Sequence, residues 1–321
     1  LTLQAILMFN IAIMAKIHRK LTITAGDIKK RHPRYLTCET DRQYAELAND
    51  IYNMMLQEHD ISSSDSLRNA TYEVMQQVVL GGLYRGGFFK EAAFYGGTCL
   101  RIFHKLGRYS EDMDFSLLEK NPEFHFEDYF QAIIEEAKLL GREVIITKKD
   151  KTKFGKVESA FLKDNTDVYK LSFQTEKSLK IKIEVDTNPP LGFSTEQKLL
   201  MLPFSFNTRC FTLPCLYAGK MHALVFRAWK NRIKGRDWYD FEWYVRHRIP
   251  LNFKHLQVRA SEFNGIQLTQ ELFMEKLRER LATADIAMVK QDVEPFIIDK
   301  RELDIWSNDY FLQLAEMIRF E

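Results

Sequence analysis

Two spacings of apolar residues alternate along this chain and divide it into helical and extended stretches. Over 39–59, Leu47, Ile51, Met54 and Met55 recur three or four positions apart, and over 66–84, Met75, Val78, Val79 and Leu83 do the same. This is the period of a helix with one buried face. Ala92, Ala93, Phe94 and Tyr95 then read as the end of a strand. Gly96 and Gly97 permit a tight turn. Thr98 is placed to cap a helix running through Leu100, Ile102, Phe103 and Leu106, which Gly107 would close. The period next changes to two. Met113, Phe115 and Leu117 are apolar, while Asp112, Asp114 and Ser116 are polar, the pattern of a half-buried strand.

The same reading continues to the C-terminus. The pattern predicts a helix over 126–140, a short strand over 143–146 and a two-strand meander over 168–173 and 179–186. In the second meander strand Leu179, Ile181, Ile183 and Val185 face one way; Lys180, Lys182, Glu184 and Asp186 face the other. Thr187-Asn188-Pro189-Pro190 ends it. An extended segment is expected at 203–212, then helices over 213–229 and 236–247, and a mostly helical remainder with amphipathic stretches at 268–281 and 310–320. The class is therefore α+β: a mixed sheet with helices before it and a helical C-terminal region. The divisions expected are a basic leader over 1–35, a core over 36–212 and the helical region over 213–321. The first thirteen residues read as upstream sequence, with Met14 as the natural start.

Composition narrows the partners. A hydrophobic fraction of 45% is ample for a real core, and the formal net charge of only +2 does not announce a nucleic-acid partner. Basic residues do gather locally, in the leader from Lys16 to Arg34 and in the run from Lys148 to Lys153. Both read as solvated segments or as contacts to nucleic-acid phosphates. Four cysteines, Cys38, Cys99, Cys210 and Cys215, contain no CxxC pair, which excludes a zinc knuckle or redox motif and fits reduced thiols in a cytoplasmic protein. The apolar start is too short to span a bilayer, and no membrane partner is expected. No HExxH or GxSxG motif is present.

Chemistry concentrates between Phe94 and Leu117. Asp112 and Asp114 stand on one face of their strand, roughly 7 Å apart along it. Carboxylates that close resist ionising together, and a divalent cation removes the conflict. Strand, glycine turn and helix N-terminus make a phosphate cradle. It is neither a Walker loop nor a dinucleotide fingerprint, since the required Lys and third Gly are missing.

Gly-Gly-Thr, a helix, and then Arg-Tyr-Ser-Glu-Asp-Met-Asp-Phe over 108–115 resembles the first motif of the polymerase-β-type nucleotidyltransferases. More closely it resembles the AbiEii/AbiGii toxin family, which includes the MenT-type toxins. Arg108, Ser110, Asp112, Asp114 and Phe115 match that pattern in order, and the resemblance extends from about Leu80 to Arg246. It implies a third carboxylate in a Lys-x-acid motif. Lys182-Ile183-Glu184 fits, with Asp186 as second choice. It also implies a lysine that contacts the triphosphate in a K-x-x-A-L-x-x-R pattern, matched by Lys220, Ala223, Leu224 and Arg227. A last motif, Arg-Asp-x-x-Asp, is matched by Arg236, Asp237 and Asp240, and would brace the site or orient substrate.

The expected enzyme is thus an NTP-dependent nucleotidyltransferase. Asp112, Asp114 and Glu184 or Asp186 would hold two Mg²⁺ ions about 4 Å apart. Gly96, Gly97, Thr98 and Ser110 would bind phosphates, and Lys220 would help pyrophosphate leave. The resemblance implies an acceptor at tRNA 3′ ends and an antitoxin encoded nearby. Nucleotidylation of a small molecule or protein, and a non-catalytic nucleotide-binding module, stand as alternatives.

Overall fold

The computed structural model describes residues 41–148, 166–173, 179–227 and 233–321. The basic leader, the charge run after Lys148, the meander turn at 174–178 and the start of the loop before the Arg-Asp-x-x-Asp motif lie outside the described residues.

Two helices open the described chain. Helix α1 (Asp41–Gln57) packs on α2 (Ser64–Gly86), whose start is fixed by a capping box between Ser63 and Ser66. Ile51 and Met55 are buried as their spacing predicts, but Met54 is exposed. Helix α2 buries Val74, Met75, Val78, Val79, Leu80 and Leu83, too many positions for one stripe, because it is covered by α1, by α4 (Phe130–Leu139) and by the sheet.

The sheet carries the site. It has seven strands in the order β3-β4-β5-β2-β1-β7-β6. These are β1 (Ala92–Tyr95), β2 (Met113–Leu117), β3 (Val144–Lys148), β4 (Thr166–Phe173), β5 (Lys180–Asp186), β6 (Thr195–Leu200) and β7 (Phe206–Phe211). Strand β2 runs antiparallel to β1 and parallel to β5, and β1 runs parallel to β7. The strands expected to bear carboxylates, β2 and β5, are therefore adjacent and central. On the buried face Phe94 stacks on Phe115, and Phe88 packs edge-on against Phe115, Phe126 and Tyr129. This aromatic core fixes which face of β2 turns inward.

Strand β6 was not expected from sequence. It is an edge strand whose residues alternate between exposed and half-buried, so it lacks the apolar face that would reveal it. The remaining helices are α3 (Gly96–His104), α5 (Leu213–Phe226), α6 (Gly235–Arg246), α7 (Phe253–Asn264), α8 (Gln270–Thr283), α9 (Ile286–Val293) and α10 (Asn308–Ala315). The segment after α9 folds back on the first motif: Tyr109 N donates to Phe296 O at 2.8 Å, and Arg108 bridges Ile297.

Candidate active site

The turn between β1 and α3 is shaped by what lies beside it. Gly96 takes φ +82°, and a Cβ there would stand 3.0 Å from Asp114 Cγ and closer still to Oδ2. Only glycine lets the backbone of the turn approach that carboxylate. Helix α3 begins at Gly96, with Tyr95 in the cap position and, among the described residues, no side-chain cap bond to its first N–H groups. The helix therefore presents free backbone donors next to the β2 carboxylates. Thr98 is not the cap expected from sequence. It lies inside the first turn, fully buried, and donates its hydroxyl to the backbone carbonyl of Asp112. This bond ties the helix start to the carboxylate strand. The variant Gly96→Ala is expected to lower transfer by roughly a hundredfold, about the cost of a misplaced reacting group, with a lower melting temperature. Steady-state kinetics beside a thermal melt checks it, and parent-like values in both would show that the turn tolerates a side chain.

Register places the acids. Across β1, β2 and β5, Tyr95, Asp114 and Glu184 stand in one row, while Ser116 and Asp186 stand opposite each other in the next. Glu184 is thus the direct neighbour of Asp114, at the strand spacing of about 4.8 Å, and Asp186 is one row away. Asp186 instead accepts from Asn188 N at 3.1 Å. Burial, and then the charges of Glu184 and Asp112, push the Asp114 carboxyl up to about 7. Lys182 forms an ion pair with Glu184, and although burial opposes its charge, Glu184 holds its pKa above the usual value. Among the described residues no three carboxylate, imidazole or thiolate groups are drawn up at ligand spacing. The donor chemistry nevertheless fits a divalent cation. Three acids act on one another, the central one is driven toward neutrality, and a cation would satisfy them once the Lys182–Glu184 pair opened.

A second charged cluster lies behind the turn. Arg108 grips Asp240 with two hydrogen bonds of 2.6 Å, both groups being buried. Lys220, in the middle of α5, reaches Asp237 at 2.7 Å and Asp240 at 2.8 Å. Burial works against both acids, but Lys220, Lys234 and Arg227 pull Asp237 well below the carboxylate range, and Arg108 and Lys220 lower Asp240. Burial likewise disfavours the Lys220 ammonium, yet Asp237 and Asp240 outweigh it and raise its pKa. Gly97 joins the clusters: a Cβ there would fall 2.8 Å from an Arg108 nitrogen and 3.0 Å from the Ser110 hydroxyl.

The structure therefore brings Gly96, Gly97, Thr98, Ser110, Asp112, Asp114 and Glu184 into one neighbourhood. Lys220, Asp237 and Asp240 form an adjoining network, with Arg227 near enough to act on Asp237 and Asp186 one row off. Three residues in these clusters carry no site role in the sequence reading. Arg108 is the buried partner of Asp240. Gln76 of α2 donates to the carbonyls of Ser110 and Glu111, at 2.9 and 3.1 Å, and so holds the loop that leads into β2. Lys234 sits just before α6, where burial and the nearby Arg227, Lys220 and Arg236 bring its pKa down to about 8 against the pull of Asp237. The only sequence signal for Lys234 is its place three residues ahead of Asp237.

A family model described as "Nucleotidyl transferase AbiEii toxin, Type IV TA system" matches residues 78–314, and the chain belongs to that family of nucleotidyltransferase toxins. Among solved structures the chain is similar to MenT4, a nucleotidyltransferase toxin from Mycobacterium tuberculosis H37Rv. The two are 15% identical over 84% of this chain and 93% of that one, with a TM-score of 0.50. It is also similar to JHP933 from Helicobacter pylori, at 16% identity over 78% of this chain and 89% of that one, with a TM-score of 0.46. At 15% identity the likeness to MenT4 is one of fold. No curated protein sequence matches the chain. Among the described residues no helix is long and apolar enough to cross a membrane.

Proposed function

We propose that this nucleotidyltransferase moves a nucleoside monophosphate from an NTP onto an acceptor hydroxyl, with the 3′ end of a tRNA as acceptor, and that a neighbouring antitoxin holds it in check in the cytoplasm. The observation that carries the reading is the row of Asp114 and Glu184 beside the open N-terminus of α3. Asp112, Asp114 and Glu184 would hold Mg²⁺, which supplies neutralisation of triphosphate charge and acidification of the acceptor hydroxyl. The free N–H groups at the start of α3, with the Ser110 hydroxyl, bind and orient phosphate oxygens. The acceptor hydroxyl gives up its proton to solvent and its oxygen attacks the α-phosphorus. A new phosphorus–oxygen bond forms, the bond to the β-phosphate bridging oxygen breaks, and pyrophosphate departs. Lys220 keeps its charge between Asp237 and Asp240 and adds positive potential on the side where that negative charge leaves. Arg108, through Asp240, fixes Lys220 in place.

The test is transfer from each α-³²P-labelled NTP to total tRNA in the presence of Mg²⁺. Label on tRNA with one NTP is expected. Metal-dependent NTP binding without label on tRNA would move the acceptor to a protein or small molecule. Neither label nor binding would overturn the nucleotide reading.

A further inference from the structure

We propose that Lys234 is a further substrate-contacting residue, whose ammonium binds the phosphate chain of the triphosphate directly while Lys220 acts from behind it. This rests on the nucleotidyltransfer reading above and assigns its phosphate subsite.

Lys220 is poorly free to bind substrate itself. An ammonium has three donors, and here two aim at Asp237 and Asp240, with the side chain only 14% exposed. Arg108 is equally committed, giving two bonds to Asp240 and one to the carbonyl of Tyr109. These two cations and two acids balance each other. Lys234 is not balanced. Among the described residues its side chain makes neither a hydrogen bond nor an ion pair. Yet it is half-buried, and it acts electrostatically on both Asp114 and Asp237.

Its backbone, by contrast, is firmly held. Asp237 N donates to Lys234 O at 3.0 Å, and the next residue, Gly235, donates to Asp292 Oδ2 at 2.9 Å. A Cβ at Gly235 would lie 3.1 Å from the Val289 carbonyl carbon and overlap its oxygen. Helix α6 is thus seated directly on α9, and the backbone of Lys234 is fixed three residues ahead of Asp237, from where its ammonium acts on both Asp114 and Asp237. A partly desolvated cation without a counterion is costly. Once the β2 and β5 acids hold a metal, and Asp240 with one oxygen of Asp237 is taken by Arg108 and Lys220, the anion left for Lys234 is the substrate's phosphate. The competing counterion is Asp237 Oδ2, which is buried without a hydrogen bond.

The experiment compares binding of inorganic tripolyphosphate with Mg²⁺ to the parent, Lys234→Ala and Lys234→Arg by calorimetry, together with the KM for the preferred NTP and thermal melts. Loss of a charge-assisted hydrogen bond predicts tripolyphosphate binding weaker by about 10- to 100-fold in Lys234→Ala. KM should rise by a similar factor, the melt should stay parent-like, and Lys234→Arg should recover most of the affinity. Tripolyphosphate binding within twofold of the parent in Lys234→Ala overturns the proposal. If the melt drops at the same time, Lys234 serves Asp237 instead. Should Lys234→Ala fail to fold, Lys234→Gln, which keeps most of the stem, is measured in its place against the same limits. A parent that binds neither tripolyphosphate nor NTP overturns the nucleotide reading itself, a failure distinct from that of Lys234 alone.

Discussion

Replacing Asp114 by asparagine is expected to reduce transfer roughly a thousandfold, the factor that several kcal/mol of lost charge stabilisation corresponds to, while leaving a protein that folds at least as well as the parent without divalent cation. The second half of this expectation is the more telling. Asp114 is raised from 3.8 to about 7 by burial, then by Glu184 and Asp112. In the unfolded chain the carboxyl loses its proton near pH 4; in the folded chain it keeps it to near 7. Between these values the folded state binds more protons, so stability falls as pH rises through the window and levels above it. Asparagine does not titrate. Melting curves of parent and variant should therefore diverge from pH 4 to 7, the variant gaining by a few degrees, about what 1–2 kcal/mol gives in a protein of this size. Mg²⁺ should raise the melting temperature of the parent and not that of the variant. Parallel pH curves, or transfer at the parent's rate, would remove Asp114 from the site.

The largest loss of stability is expected at Asp240. Alanine there leaves Arg108 with no carboxylate and Lys220 with only one, both within the protein. Breaking a buried pair from one side costs about 3–5 kcal/mol, or roughly 6–15 °C in melting temperature. Inactivity of Asp240→Ala would thus report the fold before the chemistry. A double variant separates them. Arg108→Met with Asp240→Leu removes both buried charges of the pair and leaves Lys220 on Asp237. It should be less destabilised than the sum of the two single changes by at least about 1 kcal/mol, measured by denaturant unfolding. Strict additivity would mean that the two side chains do not act as a unit.

Much of the fold and part of the site are legible in the linear chain. The alternation of Asp112, Asp114 and Ser116 with Met113, Phe115 and Leu117 marks β2, and the same alternation marks β5, because side-chain direction along a strand is a local property. Asp237 and Asp240, three apart on α6, were legible as one face for the same reason, and both do meet Lys220. The exact helix ends were less so. Lys105 in the left-handed conformation, not Gly107, closes α3, and Thr98 turns inward instead of capping because Asp112 O lies within its reach.

What the sequence by itself determined is therefore which residues share a face within each element, and with it the two short acidic stretches that make up the candidate site. Only the tertiary structure decided which of them meet. Glu184 rather than Asp186 stands beside Asp114 because of the β2–β5 register. Arg108 finds Asp240 across 132 positions. The backbone of Lys234 is held beside the Lys220 network because α6 is seated on α9. Periodicity is set by backbone geometry within a few residues, whereas register and ion pairing depend on how distant elements pack, and nothing local encodes that distance.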